Sequence, residues 1–234
     1  MAINIDTLKT RALTALIFVA VMLTGLLWNE WTFLALFTLI HFGCWYEFIK
    51  LLKKIVGTGY LKFALLGLLY ISIPICMMLD LRTVWINFSG VAGHTDFGNT
   101  IPIAIIFSIW VNDTMAYLVG SVIGKTPFSK ISPKKTWEGT IGGAILCVVM
   151  MGFVFPPLAE RFLFPFAQRQ TYFIIAGICA VFGTGGDLLE SKLKRMANIK
   201  DSGSIMPGHG GFLDRFDSLL VATPFVWLYI KLFV

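Results

Sequence analysis

Long uncharged stretches dominate the chain. They run from Ala12 to Trp28, Trp31 to Tyr46, Phe63 to Leu79, Gly139 to Ala159 and Thr171 to Gly186, while Ile101 to Gly124 and Ser218 to Val234 are interrupted only by Asp113 and by Lys231. A helix that crosses a bilayer needs roughly 20 mostly apolar residues, so the pattern predicts an all-α, polytopic integral membrane helix bundle. About seven transmembrane helices are expected, within a range of six to nine. The lower bound allows for the pair on either side of Asn29-Glu30, which is short for two full crossings. No small-residue cleavage site follows Ala12–Trp28 and another apolar run begins at once, so this first stretch reads as a span and not as a removable leader.

Composition narrows the class. With 57% hydrophobic and 14% charged residues and a mean hydropathy of +0.80, the chain departs from soluble domains, which carry about 25% charged residues. Cys44, Cys76, Cys147 and Cys179 each sit in an apolar run without Cys-x-x-Cys spacing or a His/Cys cluster. They are expected to be small buried hydrophobes, neither zinc ligands nor disulfide partners. His41 and His94 stand alone; such a membrane histidine is more often an interhelical hydrogen bonder than a ligand.

The net charge of +6 acquires meaning from its placement. Lys9, Arg11, Lys50, Lys53, Lys54, Lys62, Lys125, Lys130, Lys134, Lys135, Lys192, Lys194, Arg195, Lys200 and Arg215 all fall on one side under seven-span alternation. Only Arg82, Arg161, Arg169 and Lys231 fall opposite. Cytoplasmic loops carry the excess of Lys and Arg, so the N-terminus is expected to be cytoplasmic. The cations then mark topology and a phosphate-gathering cytoplasmic face, with no nucleic acid needed to explain them.

Ionisable groups inside a span are costly and by default mark a site. Asp113 lies near the middle of Ile101–Gly124 and shares a helical face with Ala116, Tyr117, Gly120 and Gly124, which predicts an acid presented to a polar cavity. Gly120-Ser-Val-Ile-Gly-Lys125-Thr126 has one residue too few for a P-loop and follows a span instead of a strand. Its glycines, with Gly139-x-x-x-Gly143, are better read as helix-packing surfaces. In Ser132-Pro-Lys134-Lys135-Thr136-Trp137-Glu138-Gly139, Thr136 is placed to cap a helix starting near Trp137. Two lysines beside a helix N-terminus suit an anion, although positive-inside charge would look similar.

The stretch from Gly183 to Ser218 is the richest in chemistry. Asp187, Glu190, Ser191 and Lys194 share one helical face, followed by Lys200-Asp201, a turn through Pro207-Gly-His209-Gly-Gly211, and Asp214-Arg215-Phe-Asp217-Ser218 opening the last span. Asp214 and Asp217 are three residues apart. Carboxylates at a membrane mouth flanked by Lys and Arg suit an oxygen-ligated Mg2+ that also holds substrate phosphates.

The run Ser191-Lys-Leu-Lys194-Arg195, then Lys200-Asp201 and Pro207-Gly-His209-Gly-Gly-Phe-Leu-Asp214-Arg215-Phe-Asp217-Ser218, resembles the signature of the CDP-diacylglycerol synthases, or phosphatidate cytidylyltransferases. The likeness extends upstream through Ser132–Gly139 and Asn112-Asp113-Thr-x-Ala-Tyr117, about half the chain in all. Met206 stands where the family usually has Leu, Ile or Phe, and Ser121 where many members carry a basic residue. The chain is also shorter than many members.

The resemblance implies an enzyme that joins CTP and phosphatidate to give CDP-diacylglycerol and pyrophosphate for phospholipid synthesis, with Mg2+, in the cytoplasmic membrane. It further implies metal-holding roles for the acids at Asp187 and Asp214, with Asp113 and Asp217 close by, and a possible homodimer. Combined with the residue-by-residue reading, it gives Asp187, Asp214 and Asp217 as metal ligands, with Lys200 and His209 as the other catalytic groups. Asp113, Lys134, Lys135, Ser191, Lys194, Arg195 and Arg215 are expected to bind substrate. Residues 1–100 would then be N-terminal spans, and residues 101–234 the catalytic region facing the cytoplasm. Alternatives are a CTP-dependent lipid kinase, a cytidylyltransferase for another lipid phosphate, or, from a different class, a secondary transporter using Asp113 and Asp187 near the midplane.

Overall fold

The computed structural model describes residues 5–83, 99–162, 168–203 and 210–234. Within them the chain is mostly helical, with a single β-bridge between Pro127 and Thr136 and no strand. Each of the seven apolar stretches is helical. The helices are α1 (Ile5–Leu27), α2 (Glu30–Val56), α3 (Leu61–Ala64), α4 (Ile73–Thr83), α5 (Thr100–Ile123), α6 (Trp137–Phe153), α7 (Phe155–Phe162), α8 (Arg169–Met196) and α9 (Leu213–Phe233).

Among the described residues five helical runs are long and apolar enough to cross a membrane: Glu30–Ala64, Thr100–Ile123, Trp137–Arg161, Arg169–Met196 and Leu213–Phe233. Ala12–Leu27 is a shorter apolar helix. The stretch expected at 63–79 is interrupted by a π-helical turn at Leu68–Ser72 just before α4. Pro74 has no N–H to give to the preceding turn, which accounts for the local change of pitch. Large apolar side chains face outward, among them Leu16 at 68% exposure and Val122 at 81%. Trp28 and Trp31 flank the break between α1 and α2, where amphipathic indoles suit the membrane interface. This is an integral membrane protein.

The break itself is locally encoded. Asn29 accepts from Thr32 N–H at 2.8 Å while its own N–H donates to Thr32 Oγ1 at 3.1 Å, a capping box that starts α2 with Glu30 in the first turn. The helix does not stop at Tyr46, as the hydropathy pattern suggested; it continues through Glu47, Lys50, Lys53 and Lys54 to Val56. Glu47 is buried and hydrogen-bonded, so its charge does not end the helix.

The chain divides into two compact units, one of residues 1–72 and 192–216 and the other of residues 73–191 and 217–234. These boundaries fall inside α8 and α9. In the first unit, Phe33, Phe37, Ile40, Cys44, Phe48 and Leu51 form the buried face of α2. His41 bonds Ser72 Oγ at 2.9 Å, the interhelical role expected for it; His94 lies outside the described residues. Cys44, Cys147 and Cys179 are buried, but Cys76 is exposed, which corrects its expected burial.

In the second unit α5 packs closely on α6 through small residues. A Cβ on Gly139 would come within 2.7 Å of the Ala116 carbonyl and 2.9 Å of Gly120 Cα, and one on Gly143 would lie 2.6 Å from the Ala116 backbone. Both predicted glycine pairs are therefore packing surfaces. Asp80, just past the apolar run Phe63–Leu79, lies in α4 and is 1% exposed; it accepts from Trp227 Nε1 at 2.7 Å and pairs with Lys231 at 2.8 Å. Removing one partner of a buried pair costs about 3–5 kcal/mol, whereas replacing both can be nearly neutral. Asp80→Ala should therefore lower thermal stability in detergent more than the double replacement Asp80→Leu with Lys231→Met. Equal melting temperatures would contradict the pairing.

Candidate functional site

In the second unit, α8 and α9 approach where Gly186 meets Asp217: a Cβ there would lie 3.1 Å from the Asp217 carbonyl carbon and from Ser218 Cα. That close approach accounts for part of the glycine run preceding Asp187. It also lets the carboxylates meet. Asp187 and Glu190 from α8 and Asp217 from α9 place ligand oxygens within 4.8 Å of one another, with Glu190 and Asp217 buried and Asp187 partly so. Asp217 Oδ1 accepts from Ser218 N–H at 2.6 Å, and Ser191 Oγ reaches Asp187 Oδ1 at 3.5 Å.

Asp187 is also ion-paired with Lys135, delivered by the loop between α5 and α6. Thr136 caps α6 as expected, accepting from Gly139 N–H at 3.1 Å. Glu138, in the first turn, reaches back to Thr126, accepting from its N–H at 3.1 Å and its hydroxyl at 2.8 Å. Phe128 N–H to Lys135 C=O at 2.7 Å and Trp137 N–H to Thr126 C=O at 3.0 Å close the loop on itself. Lys134 remains exposed at its tip. Thus the lysine pair splits, with one cation neutralising a carboxylate and the other facing outward.

The first unit holds a separate network. At the end of α8, Asn198 adopts a left-handed conformation with φ 53°, Asn198 N–H bonds Arg195 C=O at 3.1 Å, and Ile199 N–H bonds Lys194 C=O at 3.0 Å. This is a Schellman end with Asn in the usual glycine place. It turns the chain so that Ser202 reaches Asp214. Asp214 Oδ2 accepts from Ser202 N–H at 2.8 Å, Ser202 Oγ at 2.9 Å and Gly211 N–H at 2.9 Å, while Oδ1 pairs with Lys194 Nζ at 2.6 Å. Gly210, at φ 84°, has a conformation that favours glycine, and a Cβ on it would crowd Asp214 Oδ2 at 2.7 Å. Beside this network a cleft of about 200 Å³ is lined by Lys50, Lys54, Asp201, Ser202 and Gly203.

Of the other expected residues, Arg195, Lys200 and Arg215 are exposed, and His209 lies outside the described residues. Asp113 and Tyr117 are exposed on α5. The expectation of an enclosed Asp113 is therefore corrected: the small residues of its helical stripe turn to α6, and the acid lies on the open side.

A model of the cytidylyltransferase family matches residues 56–233, which contain every residue assigned a role above. The chain belongs to this family.

One of its relatives extends the match toward the N-terminus. The phosphatidate cytidylyltransferase of Rickettsia typhi is 33% identical over 219 residues, 92% of this chain and 88% of that protein. That of Bacillus subtilis is 34% identical over 184 residues, 78% of this chain and 63% of the relative. The Thermotoga maritima protein of the same name is 38% identical over 141 residues, 59% and 52% of the two chains. Cytidylyltransferases are enzymes of nucleotidyl transfer, and the transporter alternative falls with this assignment.

Two residues escaped the sequence assignment. Glu190 was seen on the face of Asp187 but given no role; the structure groups it with Asp187 and Asp217. Glu47 was treated as the edge of a span, although an acid inside a continuing apolar helix is the same signal that singled out Asp113. Three carboxylates without nitrogen or sulfur donors form a hard-oxygen set, which fits Mg2+ and disfavours softer metals.

Proposed function

We infer that this chain makes CDP-diacylglycerol and pyrophosphate from CTP and phosphatidate. The observation that carries this reading is the alignment of 92% of the chain with a protein named for that activity. An acidic cluster on apolar helices, next to a lysine-bearing loop, supports it.

In the proposed reaction an oxygen of the lipid phosphate attacks the α-phosphorus of CTP, and the bond to the oxygen bridging α and β phosphates breaks, releasing pyrophosphate. A phosphate monoester has a second pKa of about 6 and is mostly dianionic at neutral pH. No strong general base is needed. The obstacle is repulsion between two anions, which cations in fixed positions reduce.

Asp187, Glu190 and Asp217 are the residues we assign to Mg2+, which when bound supplies charge neutralisation and alignment of phosphate oxygens. Lys135 neutralises Asp187 in their ion pair and is positioned to turn to substrate phosphate. Lys134, Lys194, Arg195, Lys200 and Arg215 bind phosphates, His209 orients one, and Asp113 and Ser191 contact substrate. Asp214, whose oxygens accept from Lys194, Ser202 and Gly211, anchors the phosphate-binding segment. The site faces the cytoplasm from the cytoplasmic membrane, and the enzyme acts as a homodimer.

Purified protein given phosphatidate, Mg2+ and CTP should move an α-phosphorus label into the lipid and leave a γ label in pyrophosphate. A γ label in lipid would identify a kinase instead, and no label in lipid from either substrate would refute the assignment.

A further inference from the structure

Glu47 is a fully buried acid of the first unit that lies outside the residues matched by the family model. Its side chain is 0% exposed. Oε1 accepts from Phe212 N–H at 3.0 Å, and Oε2 accepts from Leu213 N–H at 2.9 Å and from Ser202 Oγ at 2.6 Å. A single carboxylate thus holds both sides of the signature segment: Ser202 before it turns, and the first N–H groups of α9 after it. Negative charge at the start of a helix is favourable, because these N–H groups have no partner within the helix.

Two further observations show how closely the segment is fitted to this acid. Cβ atoms on Gly203 or Gly211 would both collide with the Glu47 carboxylate. The Ser202 hydroxyl lies between Glu47 and Asp214, 2.6 Å from one carboxylate and 2.9 Å from the other, so that its one proton is shared between the two acceptors. Asp214 in turn holds Lys194 at 2.6 Å, with only 14% of that side chain exposed. A chain of contacts therefore leads from α2 to a proposed phosphate-binding lysine.

We propose that Glu47 is a positioning residue for nucleotidyl transfer: it fixes Ser202 and the start of α9 and, through the Ser202 hydroxyl, the Asp214 carboxylate that orients Lys194. This rests on the function inferred above. It assigns the N-terminal spans a part in the reaction beyond anchoring the enzyme. Glutamine cannot substitute well, since it offers one acceptor where two backbone N–H groups need one each, and its NH2 group would face a donor.

The test uses the full chain in detergent. Glu47→Gln should raise KM for CTP about tenfold and lower kcat/KM about a hundredfold per folded molecule, the scale of losing charge-assisted hydrogen bonds. Ser202→Ala removes only the bridge and should raise KM for CTP several-fold with the fold intact. The double variant should be no worse than Glu47→Gln. A merely structural Glu47 would lower kcat in proportion to the folded fraction and leave KM unchanged, which would overturn the proposal. Additive losses in the double variant, or an unchanged KM in Ser202→Ala, would overturn it as well. Trypsin cleavage after the exposed Lys200 supplies a readout independent of activity: faster cutting in folded Glu47→Gln supports the proposal, and equal rates contradict it. If wild type fails to label lipid while cleavage still responds to Glu47, the functional reading fails and the positioning role stands.

Discussion

Asp217→Asn should reduce transfer of labelled CMP into lipid by about a thousandfold, the rate equivalent of about 4 kcal/mol of lost charge stabilisation. The substitution is isosteric and keeps an oxygen able to accept from Ser218 N–H, now at 2.6 Å from Oδ1. It removes one negative charge from the group formed with Asp187 and Glu190. Folding should therefore survive while cation affinity falls. Anything that binds only the native state stabilises it by mass action, about 2.7 kcal/mol at a ligand concentration one hundred times Kd. Mg2+ should accordingly raise the melting temperature of wild type but not of Asp217→Asn, and high Mg2+ should recover part of the lost activity. A variant with wild-type activity and an undiminished Mg2+ shift would eliminate the metal assignment. Asp214→Asn provides the contrast: with Lys194, Ser202 and Gly211 as its partners, it should raise KM for CTP while the Mg2+ shift persists.

That contrast also marks where the sequence was legible. Helical periodicity placed Asp187, Glu190, Ser191 and Lys194 on one face because α8 is a single uninterrupted helix, and Thr136 was recognisable as a cap from its neighbours alone. These are properties of local chain geometry. What separates Asp214 from Asp217 is tertiary: three residues apart on α9, one accepts from Ser202 and Gly211, while the other groups with acids of α8. Spacing cannot distinguish them. Glu47 was hidden for a related reason, since its partners lie more than 150 positions away in the chain and hydropathy ends the apolar run just before it. Asp80, just past an apolar run, was given no role for the same reason: its neutralising partner, Lys231, is equally distant.

Gly143→Ala should be the most destabilising of three single-methyl additions in the second unit. The new Cβ would lie 2.6 Å from both Cα and N of Ala116, so the obstacle is backbone of α5 and no side-chain rotation relieves it. At Gly142 the obstacle is Val119 Cγ1 at 2.7 Å, which a rotamer change can move, and at Gly177 there is nothing within 4 Å. Overpacking costs about 1–3 kcal/mol and more when the backbone must shift, and membrane helices depend on such close packing in place of a hydrophobic driving force. Gly143→Ala is expected to cost about 3 kcal/mol, a fall in melting temperature of about 6–12 °C for a chain of this size. Gly142→Ala should fall between, and Gly177→Ala should be neutral or slightly stabilising, because alanine is the better helix former. Thermal unfolding in detergent orders the three; a Gly143→Ala protein as stable as Gly177→Ala would refute the packing argument. Because α6 begins at the loop that carries Lys135 to Asp187, separating α5 from α6 also disturbs the acidic cluster. Activity should then decline together with the folded fraction, unlike Asp217→Asn, where it is lost from a protein that remains folded.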